Sequence, residues 1–420
     1  MKRIETKYVI IGAGCSGLGF ATGLNSEEYI IVEKENSPGG YCRTIKEDGF
    51  IWDYAGHFFH FATSHWKEYF EKHISPKELV SVKKNTKIYY KGRLIDYPFQ
   101  KNIHQLEKEE FIECLYDLYF RKSKKCYSSF KEMLRGKFGD SICKKFLIPY
   151  NEKLYACNLD NLDSDAMGRF FPNAELGDII SNMKEKNNKS YNDYFLYPKE
   201  GAEVFVKALL SEVDEKRVLL GEKVISVNKD EHVVKTEHYE IAYEKLINTS
   251  PLSQFIQIMD KKIEQTDLKC NKVLVFNLGF NKKSLAYKGI HWVYIPDKTI
   301  NFYRIGFYDN ILNQDCLSMY VEIGYNQNEE IDIDNQLKLT LVNLKKIGVI
   351  SDHILLNHWH CIMDPAYVYI SEKSNRVVEQ LMSEWKKDDI YSIGRYGGWK
   401  YCSIEDCLVE AEELRKIIII

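Results

Sequence analysis

Three glycines, Gly12, Gly14 and Gly17 in Gly12-Ala13-Gly14-Cys15-Ser16-Gly17, follow the apolar run Tyr8 to Ile11. This is the spacing with which a backbone loop receives a pyrophosphate. The first glycine permits a tight turn, the second lets the backbone approach the phosphates at the start of the next helix, and the third lets that helix pack on its strand. Glu33 ends the next apolar run, Tyr29 to Val32, where the acid that binds a ribose is expected. Strand, glycines, helix, strand and acid in that order predict a bound dinucleotide. A second glycine pair, Gly39-Gly40, is followed by Arg43-Thr44. Another backbone loop with a guanidinium suits the pyrophosphate of a flavin dinucleotide better than that of a nicotinamide.

Other residues offer chemistry further along the chain. Gly56-His57 lies in an aromatic stretch, Gly49 to His60, and reads either as a backbone approach to a flat ring or as a core hairpin with a satisfied histidine. His57, His60 and His65 match no zinc spacing, so no metal is expected. Arg169 stands between apolar neighbours, either salt-bridged at the surface or aimed into a cleft. Arg304 interrupts an apolar strand and must be paired or face a polar cavity, because an unpaired buried guanidinium costs several kcal/mol. Arg395, between a short strand and a glycine-rich turn, suits a late return of the chain to the cofactor.

The elements that position these groups follow from patterning. Residues 8 to 11 read as a buried parallel strand, 29 to 33 as the next strand and 245 to 248 as a buried strand of the same domain, and Val273 to Leu278, Trp292 to Ile295, Asn301 to Phe307 and Leu317 to Ile323 as a largely antiparallel sheet. Lys91-Gly92 reads as a hairpin turn. Residues 104 to 147 are proline-free with helically spaced apolar positions, and Pro149 is expected to break that helical region. The fold class expected is α/β: a Rossmann-like FAD-binding domain from residues 1–85, 198–265 and 385–420, an inserted helical subdomain over 104–197, and an antiparallel β-sheet subdomain from 86–103 and 266–384.

Composition narrows the function classes. The 58 Lys and Arg against 61 Asp and Glu leave a net charge of −3, which gives no global attraction to nucleic acid. Any anionic ligand must be met by a local cluster. No run of 18 apolar residues exists, so no membrane insertion is expected. Met1-Lys2-Arg3 and the apolar run behind it superficially resemble a signal peptide, but the glycine spacing accounts for the same residues. Eleven cysteines without any Cys-x-x-Cys pair suit free thiols and a cytoplasmic location.

Several segments together resemble the flavin-dependent UDP-galactopyranose mutases, more the eukaryotic-like branch, within the wider amine-oxidase and protoporphyrinogen-oxidase-like superfamily. They are the Gly-Gly and Gly-His loops, Tyr97-Pro98-Phe99-Gln100, Pro149 to Ala156, Tyr197 to Gly201, Phe302-Tyr303-Arg304 and Gly394 to Tyr401. The resemblance implies Arg169 and Arg304 as diphosphate clamps, Tyr367 and Tyr401 as hydroxyl donors to the same group, and Gly56-His57 beside the reactive edge of the flavin. It implies cofactor contacts from Gly12, Gly14, Ser16 and Gly17, from Glu33 and Lys34, from Gly40, Tyr41 and Arg43, and from Val224 and Arg395. The activity implied is interconversion of pyranose and furanose forms of an NDP-hexose, with N5 of reduced FAD as nucleophile at the anomeric carbon. Its partners would be a nucleotide-diphosphate sugar and a reductant, NAD(P)H among the candidates. Ala55 and the residues after Tyr401 depart from the family pattern, which leaves the sugar and the base open. The alternative is an FAD-dependent oxidoreductase of the amine-oxidase type, and a third reading is a flavin-binding scaffold without catalysis.

Overall fold

A computed structural model describes residues 1–185, 193–259 and 268–419. The strand Lys2–Ile11 is central to a sheet of seven. It pairs in parallel with Tyr239–Asn248 on one side and Tyr29–Val32 on the other, and Val218–Leu219 extends the latter edge. Ile390–Ser392 lies parallel to the end of Tyr239–Asn248, and the antiparallel hairpin Ser226–Asn228 with Val233–Lys235 covers its start. Tyr8 to Ile11 are buried because both faces of the sheet are covered. Tyr8 and Ile10 pack with Leu18, Phe205, Leu408 and Ala411 of three helices, Cys15–Ala21, Glu203–Leu210 and Ile404–Ile418. Val9 and Ile11 face Leu252 and Phe255 of Leu252–Ile258, and Leu381 and Trp385 of Glu372–Trp385. This is why Tyr8 to Ile11 show no polar alternation: a parallel strand covered on both sides reads as a continuous apolar run.

The second sheet also has seven strands, in the order Leu355–Met363, Asn271–Phe280, Ser318–Asn326, Arg304–Phe307, Trp292–Tyr294, Thr86–Tyr90 and Arg93–Asp96. All neighbours are antiparallel except Trp292–Tyr294 with Thr86–Tyr90. One face packs Leu274, Phe276, Ile305 and Val321 against Leu344 of the helix Ile333–Lys346. The other face presents Arg304, Tyr320 and Glu322 toward the first sheet. Lys91 and Gly92 turn the 86–96 hairpin, both with positive φ.

Between the sheets in sequence lie helices Lys108–Tyr119 and Phe130–Ile142, and the latter continues into Ile148–Tyr155. Pro149 does not break this region as expected. It sits at the second position of Ile148–Tyr155, directly after a wide π-helical turn over Cys143–Leu147. A proline lacks the amide hydrogen and crowds the carbonyl four residues back; a turn with five-residue hydrogen-bond spacing relieves both demands. The strand Tyr194–Pro198 pairs antiparallel with Leu79–Lys83.

Candidate active site

A cavity of about 810 Å³ opens where the glycine loops meet the second sheet, within the size range of cofactor and ligand sites. Gly12 adopts φ +100°, and its N–H donates to the Val32 carbonyl at 2.9 Å. A Cβ there would stand 2.5 Å from Thr249 Oγ1, so the turn admits only glycine. Gly17 does not line the cavity; a Cβ on it would meet the Gly12 carbonyl oxygen at 2.0 Å, the close helix-to-strand packing expected of the third glycine. Gly14 and Gly40 face each other. A Cβ on Gly14 would stand 4.0 Å from Cα of Gly40, and one on Gly40 3.5 Å from Cα of Gly14. The Gly39 N–H donates to the Ala13 carbonyl at 2.8 Å and ties the two loops together. Side chains at Gly14 and Gly40 would fill the space between the loops, so this cradle fits a pyrophosphate.

The remaining residues expected around a cofactor line the same cavity: Ser16, Glu33, Lys34, Tyr41, Arg43, Gly56, His57, Val224 and Arg395. Glu33 accepts from the N–H groups of Ala13 (2.8 Å) and Glu35 (3.0 Å), which fixes the carboxylate at the end of its strand. Arg43 Nε donates to the Gly40 carbonyl at 2.8 Å, and its guanidinium lies 4.6 Å above the Tyr54 ring. The Tyr41 hydroxyl accepts from the Asp364 N–H at 2.9 Å. Gly394, with φ +83°, brings the last strand back onto the first loop, where a Cβ would come within 2.2 Å of Ser16 Oγ. Gly56 lies against the buried Tyr320, whose Oη would be 2.5 Å from an added Cβ. Burial pulls the His57 imidazole down to about 4, so it is neutral near pH 7.

Cations and phenols gather at the other end. Arg304 and Glu322 are directly opposed across antiparallel strands. The guanidinium donates through Nε and Nη2 to the two carboxylate oxygens, both at 2.7 Å, and Glu322 is 1% exposed. Both alternatives left open for Arg304 hold together: it is paired, and it lines the cavity, where its Nη1 makes no hydrogen bond among the described residues. Arg169 is ion-paired with Asp406 and lies over Phe170 at 4.8 Å. With its side chain 53% exposed it is a salt-bridged residue at the rim of the cleft, so here too both readings apply. Tyr367 and Tyr401 stack with centroids 6.0 Å apart and planes at 17°. Arg395 lies over both rings, 5.2 Å from Tyr367 and 4.7 Å from Tyr401, and donates to the Cys402 carbonyl at 2.9 Å. Among the described residues Arg395 forms no ion pair, so it is a cation presented to the cavity without a counter-charge. Burial holds the Tyr401 hydroxyl up at about 12 despite Arg395 and Arg304, which keeps it a donor at neutral pH.

A second cavity of about 460 Å³ shares Arg169, Arg304, Tyr367 and Tyr401 with the first and extends toward Tyr150, Asn151 and Trp292. Burial also raises the hydroxyls of Tyr150 and Tyr320 well above their ordinary range. Arg169, Arg304, Tyr367 and Tyr401, among the residues common to both, therefore stand between a dinucleotide cradle and a pocket lined by aromatic rings. Sequence reasoning missed Glu322, Asp406 and Tyr320. The signal for Glu322 was present: it is the lone acid in an apolar strand, as Arg304 is the lone base in another, and two such residues predict each other. Asp406 had no comparable signal. No cluster of three or more His, Cys, Asp or Glu able to hold a metal occurs among the described residues.

Residues 10–72 match the family model of an NAD(P)-binding Rossmann-like domain. Among solved structures, the chain is similar to a reduced UDP-galactopyranose mutase, with 22% identity and TM-score 0.91, over 99% of this chain and 94% of that one. The Exiguobacterium sp. 255-15 protein assigned as a protoporphyrinogen oxidase matches with 18% identity and TM-score 0.75, over 99% and 98% of the two chains. A double mutant of putrescine oxidase matches with 11% identity and TM-score 0.69, over 99% of each chain. The chain thus has the α/β fold these proteins share, built on a Rossmann-like dinucleotide-binding domain.

Proposed function

We propose that the chain is an FAD-dependent mutase interconverting the pyranose and furanose forms of a nucleotide-diphosphate hexose. One observation carries this reading. The dinucleotide cradle runs directly into Arg304, Arg395, Tyr367 and Tyr401, and Arg304, Tyr367 and Tyr401 also border a second, aromatic-lined cavity. Such a site has places for two ligands that each carry a diphosphate, with the second diphosphate held at the end of the cofactor cavity. The likeness to a UDP-galactopyranose mutase supports the same assignment.

The cofactor would be held by the loops at Gly12 to Gly14 and Gly39-Gly40, with Glu33 and Arg43 at their margins. When bound and reduced, the flavin supplies an electron-rich nitrogen nucleophile. The chain's own residues deal with the group that must leave. As the bond from the anomeric carbon to the diphosphate oxygen breaks, its electron pair stays on that oxygen, and the added charge must be met at once. Arg304 Nη1 and Arg395 meet it with fixed positive charge, and the hydroxyls of Tyr367 and Tyr401 donate to the phosphate oxygens. None of these groups has to titrate. The same contacts retain the diphosphate until the re-formed sugar ring takes it back, so the cycle needs no electron acceptor. Arg169, exposed at the rim and tied to Asp406, is placed to close over the diphosphate once it is bound.

Ring interconversion by the purified protein tests the reading, with chemically reduced and oxidised samples compared on a panel of nucleotide sugars that starts with UDP-galactofuranose. Product in the reduced sample only is expected. Bleaching of the flavin by an amine or alicyclic substrate, with no product from any sugar, would assign the chain to the oxidases instead.

A further inference from the structure

Among the free cysteines that line the cofactor cavity, four stand in pairs. Sγ of Cys15 lies 3.6 Å from Sγ of Cys42, and Sγ of Cys402 lies 3.6 Å from Sγ of Cys407. The two pairs differ in chemistry. Contact with the Cys15 thiol, together with burial, pushes the Cys42 thiol well above its ordinary range, so it stays protonated. Cys407 behaves in the opposite way. It lies in the first turn of the helix Ile404–Ile418, and hydrogen bonds from the Cys402 thiol, the Ser16 hydroxyl and the Arg395 N–H outweigh its burial and pull it below the ordinary thiol range. The thiolate is the reactive form of cysteine, and a helix N-terminus with nearby donors favours it. Cys402 keeps its proton and stands beside it.

The segment from Cys402 to Cys407 also holds parts of the site in place. The Cys402 carbonyl accepts from Arg395 at 2.9 Å, and Asp406 is the ion partner of Arg169. Between them, Glu405 accepts from the N–H groups of Ala62 (2.6 Å) and Thr63 (2.9 Å) and from the Thr63 hydroxyl (2.7 Å). Ser403 and Asp406 cap the helix reciprocally. A change within this segment therefore reaches two of the cations that line the cavity.

We propose that Cys402 and Cys407 form a redox modification site, a dithiol that hydrogen peroxide converts to an intramolecular disulfide, and that this disulfide weakens the hold of the site on a diphosphate. The Cys407 thiolate attacks one peroxide oxygen; the O–O bond breaks, the second oxygen leaves as hydroxide with the electron pair, and Cys407 becomes a sulfenic acid. Cys402 then attacks the Cys407 sulfur, the S–O bond breaks, and the expelled hydroxide takes the Cys402 proton. The two thiols give up two electrons and two protons, the peroxide becomes two waters, and one S–S bond is formed. A bond of about 2.05 Å replaces the 3.6 Å contact, which draws Cys402 toward the helix start and its carbonyl away from Arg395. Arg395 thereby loses the acceptor that aims it. The consequence for a diphosphate rests on the mutase reading; the chemistry of the thiols does not.

The test uses FAD-loaded protein with oxidised flavin, treated with hydrogen peroxide, alkylated and digested with trypsin, beside a sample kept in dithiothreitol. The peptide from Tyr401 to Arg415 is expected to lose two hydrogens, to take up no alkylating agent and to revert with dithiothreitol. Calorimetric affinity for UDP should fall about tenfold on oxidation and recover with the thiols, the scale of one misplaced charge-assisted contact. In Cys402→Ser the sulfenic acid meets no second thiol, so dimedone should trap it at Cys407. Cys407→Ser should show the same UDP affinity with and without peroxide. Two intact thiols in this peptide at millimolar peroxide would overturn the proposal. So would a disulfide that maps to Cys15 and Cys42 instead, or one at Cys402 and Cys407 that leaves UDP affinity unchanged. Disulfide formation in protein that binds UDP in neither state would support the dithiol and count against the nucleotide-sugar reading.

Discussion

Arg304 carries two duties with one guanidinium. Two of its nitrogens hold Glu322 and, in the proposed reaction, the third serves the substrate, a division that only a planar fork can make. Arg304→Lys keeps the charge but cannot serve both partners. Turnover of the reduced enzyme is expected to fall roughly 10²-fold, the scale of losing one strong transition-state donor, while flavin stays bound. Glu322→Gln removes the counter-charge instead, and should cost about 3 kcal/mol in a denaturant melt because the guanidinium loses its ion partner in a buried setting. Near-normal turnover in the first variant would remove Arg304 from the chemistry. His57 makes a contrasting prediction. With its pKa near 4 it does not change charge between pH 5.5 and 8.5, so kcat/KM should show no limb near 6.5 that His57→Asn abolishes. Such a limb would mean that His57 is hydrated and working as an acid or base. What could be read at this scale without coordinates was uneven. The glycine loops were legible because backbone approach restricts residue type as well as spacing. Glu322 left a signal, a lone acid in an apolar strand, though its pairing with Arg304 is fixed by sheet register; Asp406 left none, because it meets Arg169 only through a helix start brought in from elsewhere in the chain.

The strands were legible for a similar reason. Burial on both faces of Lys2–Ile11 near its end, and apolar runs bounded by turns in the second sheet, are local properties of the sequence. Pro149 was misjudged because a break is only one way to accommodate a proline, and the π-helical turn before it is another that leaves no compositional trace. A second irregularity nearby can be tested. Gly139 lies within the residues of helix Phe130–Ile142 at φ +75° and ψ 168°, a region that essentially only glycine occupies. A Cβ there would also stand 2.5 Å from the Asp117 carbonyl oxygen. The glycine lets the helix change direction where it crosses Lys108–Tyr119, and neither backbone can easily retreat. Gly139→Ala is therefore expected to destabilise the protein by about 3 kcal/mol, from backbone strain and the clash together. Circular dichroism melts would check it. A loss below that of an ordinary surface substitution would mean that the kink is not required for packing these helices.

Across the whole molecule, buried groups of opposite sign set the response to acid. Burial pulls His57, His60 and His291 down to about 4 and pushes Asp53 and Asp309 up to about 6. In the unfolded chain the histidines titrate near 6.5 and the aspartates near 3.9. As pH falls from 6.5 toward 4, the unfolded chain therefore takes up protons on histidines that the folded chain leaves neutral, and stability is lost. Over nearly the same window the folded chain protonates Asp53 and Asp309 before the unfolded chain does, and stability is gained. Three protons oppose two. The net slope from these five groups stays below about 2 kcal/mol per pH unit, against about 4 for the histidines alone. Asp53 is the informative member of this balance: it is fully buried and accepts from Thr44, Tyr197 and the Ala202 N–H, joining the hairpin Thr44–Asp53 to the start of Glu203–Leu210. Asp53→Asn keeps its size and removes its proton uptake. The difference in Tm between pH 7 and pH 5 should become larger in this variant than in the parent, whatever the variant's Tm at pH 7. An unchanged or smaller difference would show that Asp53 is ionised through this range, and that its three donors outweigh its burial.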